Sequence, residues 1–284
     1  MEKFLILHAD DLGYNAQQNA AIAELWEKGL LTSTSLLPVA PEAAAGVQFL
    51  RESGCPAGVH WVLNSDSDTA RWQSLTRAKS LTDGRGMRAN ALAAGLLAKR
   101  REVYAELEAQ VLYMRIRGVS PDHADNHCAT LYGVNGRRFF LDAFELCRKY
   151  SLPFRFPKTP GFLERQLGRR LPEPALRLQK MLVACGERRG VRMPDDVVSN
   201  PWSMARIRNY ETLRRYYLDA VDAAGPGVTE MFFHPAAPNP DAGPEWQKRV
   251  YEYELLKSGD LLERAAQKGV RVVSWGVFSE LPKP

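Results

Sequence analysis

What most constrains this chain is a rhythm, in which short apolar runs alternate with longer amphipathic stretches from the first residues onward. Phe4-Leu5-Ile6-Leu7 reads as a buried strand. Residues 15–28 read as a helix capped by Asn15, with Ile22, Leu25 and Trp26 on one face and Gly29 just past its end. A strand over 32–39 follows, then a helix over 41–52 closed by Gly54, then a strand over 58–63. Strands and helices in strict alternation imply parallel strands joined by right-handed crossovers, hence an α/β sheet or barrel.

The rhythm continues. Residues 64–88 are polar and long for a plain connection, which suggests a functional loop directly after His60. Residues 89–117 read as one long helix with Leu96, Val103, Leu107, Val111 and Met114 at helical spacing, ended by Gly118. Residues 121–127 read as a short strand running into a polar tip, followed by a Gly-containing loop and a helix over 138–150. Residues 153–157 form an aromatic strand fenced by prolines, whose one charged side chain is Arg155. Further on come a helix over 206–224, a strand over 228–235 with His234 at its tip, a helix to about 268, and a last strand over 270–275.

Within 163–193 the sequence is amphipathic and basic, with Arg165, Arg169, Arg170, Arg177, Lys180, Arg188, Arg189 and Arg192 against few acids. It reads first as a basic helical insertion packed on the main body, and second as a docking face for an anionic or membrane-associated substrate. It lacks the interleaved aromatics of a single-stranded nucleic-acid platform, so nucleic acid is not an expected partner. With 284 residues and 45% hydrophobic content, one domain over 1–284 is favoured. No apolar run approaches the roughly 20 residues of a membrane span, and the start does not resemble a signal peptide, so a soluble, cytoplasmic protein is expected. Cys55, Cys128, Cys147 and Cys185 are scattered without a Cys-x-x-Cys pair and read as reduced thiols. The net charge of +5 decides nothing by itself.

The chemistry gathers at the strand ends. Asp10, Asp11, His60, Asp125, His127, Arg155 and His234 all fall on or just past the C-terminal half of an expected strand, and five strands contribute. Such ends converge on one face of a barrel or open parallel sheet, where these folds place ligands and catalytic groups. A lone histidine in an apolar strand is usually a satisfied core residue, whereas the set beside paired aspartates is more specific. The two adjacent carboxylates repel unless a cation or a shared proton relieves them, which suggests a metal ligand beside a general base.

These residues resemble the YdjC-like or ChbG-like carbohydrate deacetylases, which are distant in sequence from the NodB-type polysaccharide deacetylases but similar in chemistry. Ala9-Asp10-Asp11-Leu12-Gly13 is similar to the family's Ala-Asp-Asp-Phe-Gly, and Thr32-Ser33-Thr34-Ser35-Leu36 to its second-strand signature. Gly58-Val59-His60-Trp61 resembles Gly-Leu-His-Leu, residues 121–127 resemble Pro-Thr-His-Ile-Asp-Ser-His, and Phe233-His234-Pro235-Ala236 resembles a His-Pro-Gly turn. The resemblance implies a distorted or incomplete (β/α) barrel with helices outside its parallel strands. It further implies a divalent metal ion (Zn, Mg, Mn, Ni or Co) held by Asp11, His60 and His127, with Asp10 as general base.

His234 is the candidate acid, and from position alone Arg155 would fix or polarise Asp10 and Asp125 would orient a ligand. The implied reaction removes the acetyl group of an N-acetylated amino sugar, whether mono-, oligo- or lipid-linked. A homodimer stays open, as do a different ester, amide or phosphoester substrate and an inactive binding protein of the same fold. One departure bears on this: where the family often carries further histidines, this chain has Cys128, Ala129, Thr130 and Leu131. His123 lies four residues before His127 and is the reserve ligand, although in a strand the two would lie about 13 Å apart.

Overall fold

A computed structural model describes residues 2–132 and 137–282. In chain order it contains β1 (Lys3–Leu12), α1 (Ala16–Glu27), β2 (Ser33–Leu36), α2 (Ala43–Ser53), β3 (Ala57–Trp61), α3 (Ala91–Leu97), α4 (Arg100–Arg115) and β4 (Ala124–Asn126). A 3₁₀ segment, His127–Tyr132, leads on to α5 (Phe140–Tyr150), α6 (Gly161–Leu167), α7 (Glu173–Glu187), β5 (Asp196–Val198), α8 (Met204–Ile207) and α9 (Tyr210–Asp222). Then come β6 (Gly227–Phe233), α10 (Trp246–Ser258), α11 (Asp260–Gln267), β7 (Arg271–Val272) and α12 (Val277–Glu280). The strand order is β4-β3-β2-β1-β6-β5, with β7 also on β1, and the ladders among the described residues are parallel.

β1 is the hub. β6 pairs with it from Lys3 to Ala9, so β2 and β7 share its other edge, β7 at Phe4 and Leu5 and β2 from His8 onward. The edge strands β4 and β5 are linked by extended residues 153–159. Ala124 N–H donates to Pro153 O (2.9 Å), Phe154 N–H to Arg192 O (2.8 Å) and Thr159 N–H to Asp195 O (3.0 Å). The parallel sheet is thereby curled into a distorted, incomplete barrel with helices around it.

Side-chain alternation along β1 sorts the interior from the helix layer. Leu5, Leu7 and Ala9 pack with Ile22, Leu25 and Val47 of the helices, while Phe4 and Ile6 pack with Val228, Trp275, Val277 and Phe278. The second group plugs one end of the barrel. Burying each of these large side chains contributes about 1.5–3 kcal/mol, so the plug is a rigid floor for the polar layer above it. His8 and Asp10 follow Phe4 and Ile6 by the period of two and point into the same interior.

Several expectations are revised. The long helix over 89–117 is two helices, because Ala98 and Lys99 are extended. Lys99 N–H donates to Ser80 Oγ (2.9 Å) and Ser80 N–H to Glu102 Oε2 (2.8 Å), so contacts with the polar loop override two good helix formers. The strand expected over 153–157 is reduced to a single bridge, Ala124 to Phe154. Pro153 and Pro157 lack the N–H groups a ladder needs.

The basic segment is also two helices, α6 and α7, separated at Gly168, whose φ is +63°. The helix over 206–224 divides at Arg208 into α8 and α9, and the last long helix divides at Gly259 into α10 and α11. The final strand shrinks to Arg271–Val272, and β5 was not expected. The Gly-containing loop expected after residue 127 includes residues 133–136, which lie outside the described residues. Among the described residues no helix is long and apolar enough to cross a membrane.

Candidate active site

Adjacent residues of a strand face opposite ways, yet Asp10 and Asp11 both join the same buried polar cluster. The cause is a register shift between Ala9 and Leu12, where β1 carries an irregularity against β2, and the left-handed φ of +69° at Asp11. The extra residue restores Leu12 to the helix side beside Leu7 and Ala9, and it swings Asp11 inward next to Asp10. A left-handed aspartate costs about 1–3 kcal/mol, and such strain is kept where the surroundings impose it.

Asp10 is held from behind. The Arg155 guanidinium donates through Nη1 and Nη2 to its two oxygens, each at 2.7 Å. The same fork donates through Nε and Nη2 to Glu230 (2.8 and 2.7 Å), and Nη2 lies 3.0 Å from Asp125 Oδ2. All four groups are buried. His8 Nε2 sits 3.2 Å from Asp10 Oδ1 and 3.2 Å from Ser35 Oγ. Burial raises the Asp10 carboxyl, but Arg155, His60 and His8 outweigh it and hold it well below the ordinary carboxylate range. The reverse balance keeps His8 low, since burial and Arg155 both oppose its protonation.

Asp11 is held differently. Arg249 Nη1 donates to its Oδ2 (3.0 Å), while its Oδ1 is buried without a hydrogen-bond donor. That oxygen faces His60 Nε2 at 3.4 Å and His127 Nδ1 at 3.3 Å. Each imidazole has a carboxylate at its other nitrogen: His60 Nδ1 lies 2.7 Å from Asp125 Oδ1, and His127 Nε2 lies 2.5 Å from Asp66 Oδ1. A ring that donates from one nitrogen to a carboxylate presents the lone pair of the other, as second-shell carboxylates arrange at metal sites.

The donor atoms of Asp11, His60 and His127 all lie within 4.8 Å of one another. Two tetrahedral ligands each about 2.0–2.2 Å from one ion sit roughly 3.3–3.6 Å apart, so the spacings to Asp11 Oδ1 fit a divalent metal. Charge points the same way. Among the described residues Asp10, Asp11, Asp125 and Glu230 are buried with the guanidiniums of Arg155 and Arg249, so the cluster needs further positive charge, from protonated imidazoles or from a cation that displaces their protons. Against burial, the Asp125, Asp10 and Asp11 carboxylates raise His60, and Cys128, Asp11 and Asp66 raise His127 well above 6.5.

His234 follows β6 and reaches the mouth, its Nε2 3.8 Å from Asp10 Oδ2. Its backbone N–H donates to the buried Glu252 Oε2 (2.7 Å), and burial lowers its imidazole pKa. His123, the reserve ligand, lies one layer below. It stacks on Trp275 with centroids 4.4 Å apart and covers Gly58, where any Cβ would stand 2.3 Å from its Nε2. Its donor atoms group with His8 and Asp125 rather than with Asp11. Leu131 is buried in the main apolar core.

The sequence reasoning missed His8, Glu230, Arg249 and Asp66. His8 was discoverable from the period of two that it shares with Phe4, Ile6 and Asp10. Glu230 was discoverable as a charge inside an apolar strand, the argument already applied to Arg155. Arg249 and Asp66, on a helix and in a loop, carried no such signal.

Known proteins are similar to this chain over most of its length. A family model described as YdjC-like protein matches residues 4–267. A carbohydrate deacetylase of Thermus thermophilus is 31% identical over 258 residues, covering 89% of this chain and 86% of that protein. A carbohydrate deacetylase of Enterococcus faecalis is 26% identical over 291 residues, covering 96% of this chain and 97% of that protein. The crystal structure of a candidate cellobiose-phosphate cleavage protein from Enterococcus faecalis superposes with a TM-score of 0.77 at 26% identity, covering 98% of this chain and 99% of that one.

Proposed function

The chain belongs to the YdjC-like protein family, and from that premise we propose that it is a metal-dependent carbohydrate deacetylase acting on an N-acetylated amino sugar. The observation that carries this reading is the unpartnered, buried Asp11 Oδ1, set between two imidazole nitrogens whose far sides are backed by carboxylates. Asp11, His60 and His127 would hold a divalent cation, which when bound polarises an amide carbonyl and acidifies water. Two imidazoles and one carboxylate favour zinc, nickel or cobalt over magnesium and manganese.

The protein groups then divide the proton work. Asp10 takes the proton of the attacking water. The Arg155 fork fixes both its oxygens and keeps it ionised, so it is ready to accept at neutral pH although its intrinsic basicity is low. His234 is neutral at rest. From 3.8 Å it would receive that proton from Asp10 and deliver it to the leaving amine nitrogen, so acid and base act in relay. Asp125 would fix the ring orientation of His60 through their 2.7 Å contact.

The test is an acetate-release screen over mono-, oligo- and lipid-linked N-acetylated amino sugars with each divalent metal, beside thermal melts with and without the ion. The lipid-linked substrates belong in it because of the basic α6 and α7 segment. Metal-dependent acetate release together with a metal-induced rise in Tm is expected, since a ligand of the native state stabilises it. No acetate from any substrate and no rise in Tm would overturn the reading.

A further inference from the structure

The His127 imidazole has a donor cluster at each nitrogen. Nδ1 faces Asp11 and His60, while Nε2 lies 2.5 Å from Asp66 Oδ1, an oxygen that also stands 3.7 Å from Cys128 Sγ. We propose that Asp66, His127 and Cys128 form a second, outer metal site for a thiophilic ion such as zinc, and that filling it withdraws His127 from the inner cluster and inhibits the enzyme. The inhibition rests on the metal-dependent reading above, and the outer site does not.

Three observations support the site. The donor atoms of Asp66, His127 and Cys128 all lie within 4.8 Å of one another. The backbone is bent to bring them together: Cys128 and Ala129 both have φ of +52°, a left-handed conformation that costs a non-glycine residue roughly 1–2 kcal/mol. Asp11, which is also left-handed, uses the same bend to set two neighbouring donors side by side. Access differs from that of the inner cluster, because Cys128 and Asp66 are both exposed, so an ion reaches them without passing Asp11.

The donor chemistry separates the two sites. A thiolate with an imidazole and a carboxylate selects zinc or cadmium over magnesium and manganese, which favour oxygen ligands. The separation of Asp66 Oδ1 and His127 Nε2 is that of a hydrogen bond, so the ion must replace the proton between them while the carboxylate withdraws to a ligand spacing of about 3.3 Å. Binding forms metal–sulfur and metal–nitrogen bonds: the Cys128 S–H proton leaves to solvent, while His127 gives up its Nε2 proton and takes one up at Nδ1 as that nitrogen's bond to the inner ion breaks. With a proton on Nδ1 facing Asp11, the ring has no lone pair for the inner ion.

The test titrates the full chain with Cd²⁺ and follows the thiolate-to-metal charge-transfer absorption. Wild type and Asp11→Asn should both develop the band, His60→Gln serving as a second inner-site variant if Asp11→Asn fails to fold. Cys128→Ser should lose the band and keep one bound equivalent. With enzyme carrying one equivalent of its activating metal, excess Zn²⁺ should inhibit wild type at a concentration at least tenfold below that needed for Cys128→Ser. Absence of the band from wild type and both inner-site variants overturns the outer site, and a band without zinc inhibition overturns the withdrawal of His127. A chain that releases no acetate from any substrate but keeps the band would sink the deacetylase reading and leave the outer site standing.

Discussion

Asp10 and Asp11 are neighbours in sequence, equally buried and equally charged, yet they sit in two different kinds of surroundings. On the Asp10 side every carboxylate is in contact with one guanidinium, Arg155, whose fork serves Asp10 and Glu230 and touches Asp125. On the Asp11 side Arg249 satisfies one oxygen and the other faces the inner nitrogens of two histidines without a hydrogen bond. One side is closed on itself, and on the proposed reading a cation completes the other. The contrast shows how a chain can give two consecutive carboxylates different surroundings, the proposed base and the proposed metal ligand: the bulge at Asp11 aims both inward, and the two arginines then take one each.

The sharpest way to break this contrast is to remove the arginines in turn. Arg155→Met leaves three buried carboxylates without their cation and should cost about 3–5 kcal/mol in urea denaturation, a loss that added metal does not restore. Asp125→Asn spares the fold but frees the His60 ring, and isothermal titration should show metal binding weakened about 10–100-fold. Arg249→Met should cost only about 1 kcal/mol, because the side chain is partly open to water, and saturating metal should recover it, since 100 times Kd contributes about 2.7 kcal/mol. If metal rescued Arg155→Met and not Arg249→Met, the two sides would have been assigned the wrong way round.

The effects of pH are smaller and differ in sign between the sides. Asp10 and Asp125 are held below their ordinary 3.8, so the stability they contribute is fully present above that pH and is lost as pH falls further through their folded values. Acid denaturation of wild type should therefore steepen below about pH 4, and that of Arg155→Met should be shallower. His127 is raised well above 6.5, so its contribution to the metal-free protein is present below 6.5 and is lost as pH rises through its folded value. Metal must displace that proton. Affinity for Co²⁺ measured from pH 6 to 8 should tighten by up to about tenfold per unit while His127 is still protonated.

How far these features could be read in advance follows from the range of the interactions that make them. The alternation of apolar and amphipathic segments is local, and it led to the curled parallel sheet and to the strand ends at which Asp10, His60, Asp125 and His234 stand. The division of labour between Asp10 and Asp11 depends on a register shift against β2, a pairing between distant segments that no local pattern announces. The break at Ala98 and Lys99 lies in strong helix formers and comes from Ser80, nineteen positions away in sequence. β5 is three residues long and follows a basic helix, too brief to show a period of two. Arg155 was singled out because a charge in an aromatic strand needs partners, although its strand proved to be one bridge. Glu230, its matching acid, was passed over despite the same argument.

The central claim, that Asp11 holds the metal and Asp10 handles the proton, is tested most directly by measuring bound metal and turnover together in Asp10→Asn and Asp11→Asn. Asp10→Asn should keep one equivalent of metal and lose about 10²–10⁴-fold in kcat, while Asp11→Asn should lose the metal along with the activity. Loss of metal from Asp10→Asn with retention in Asp11→Asn would contradict the account.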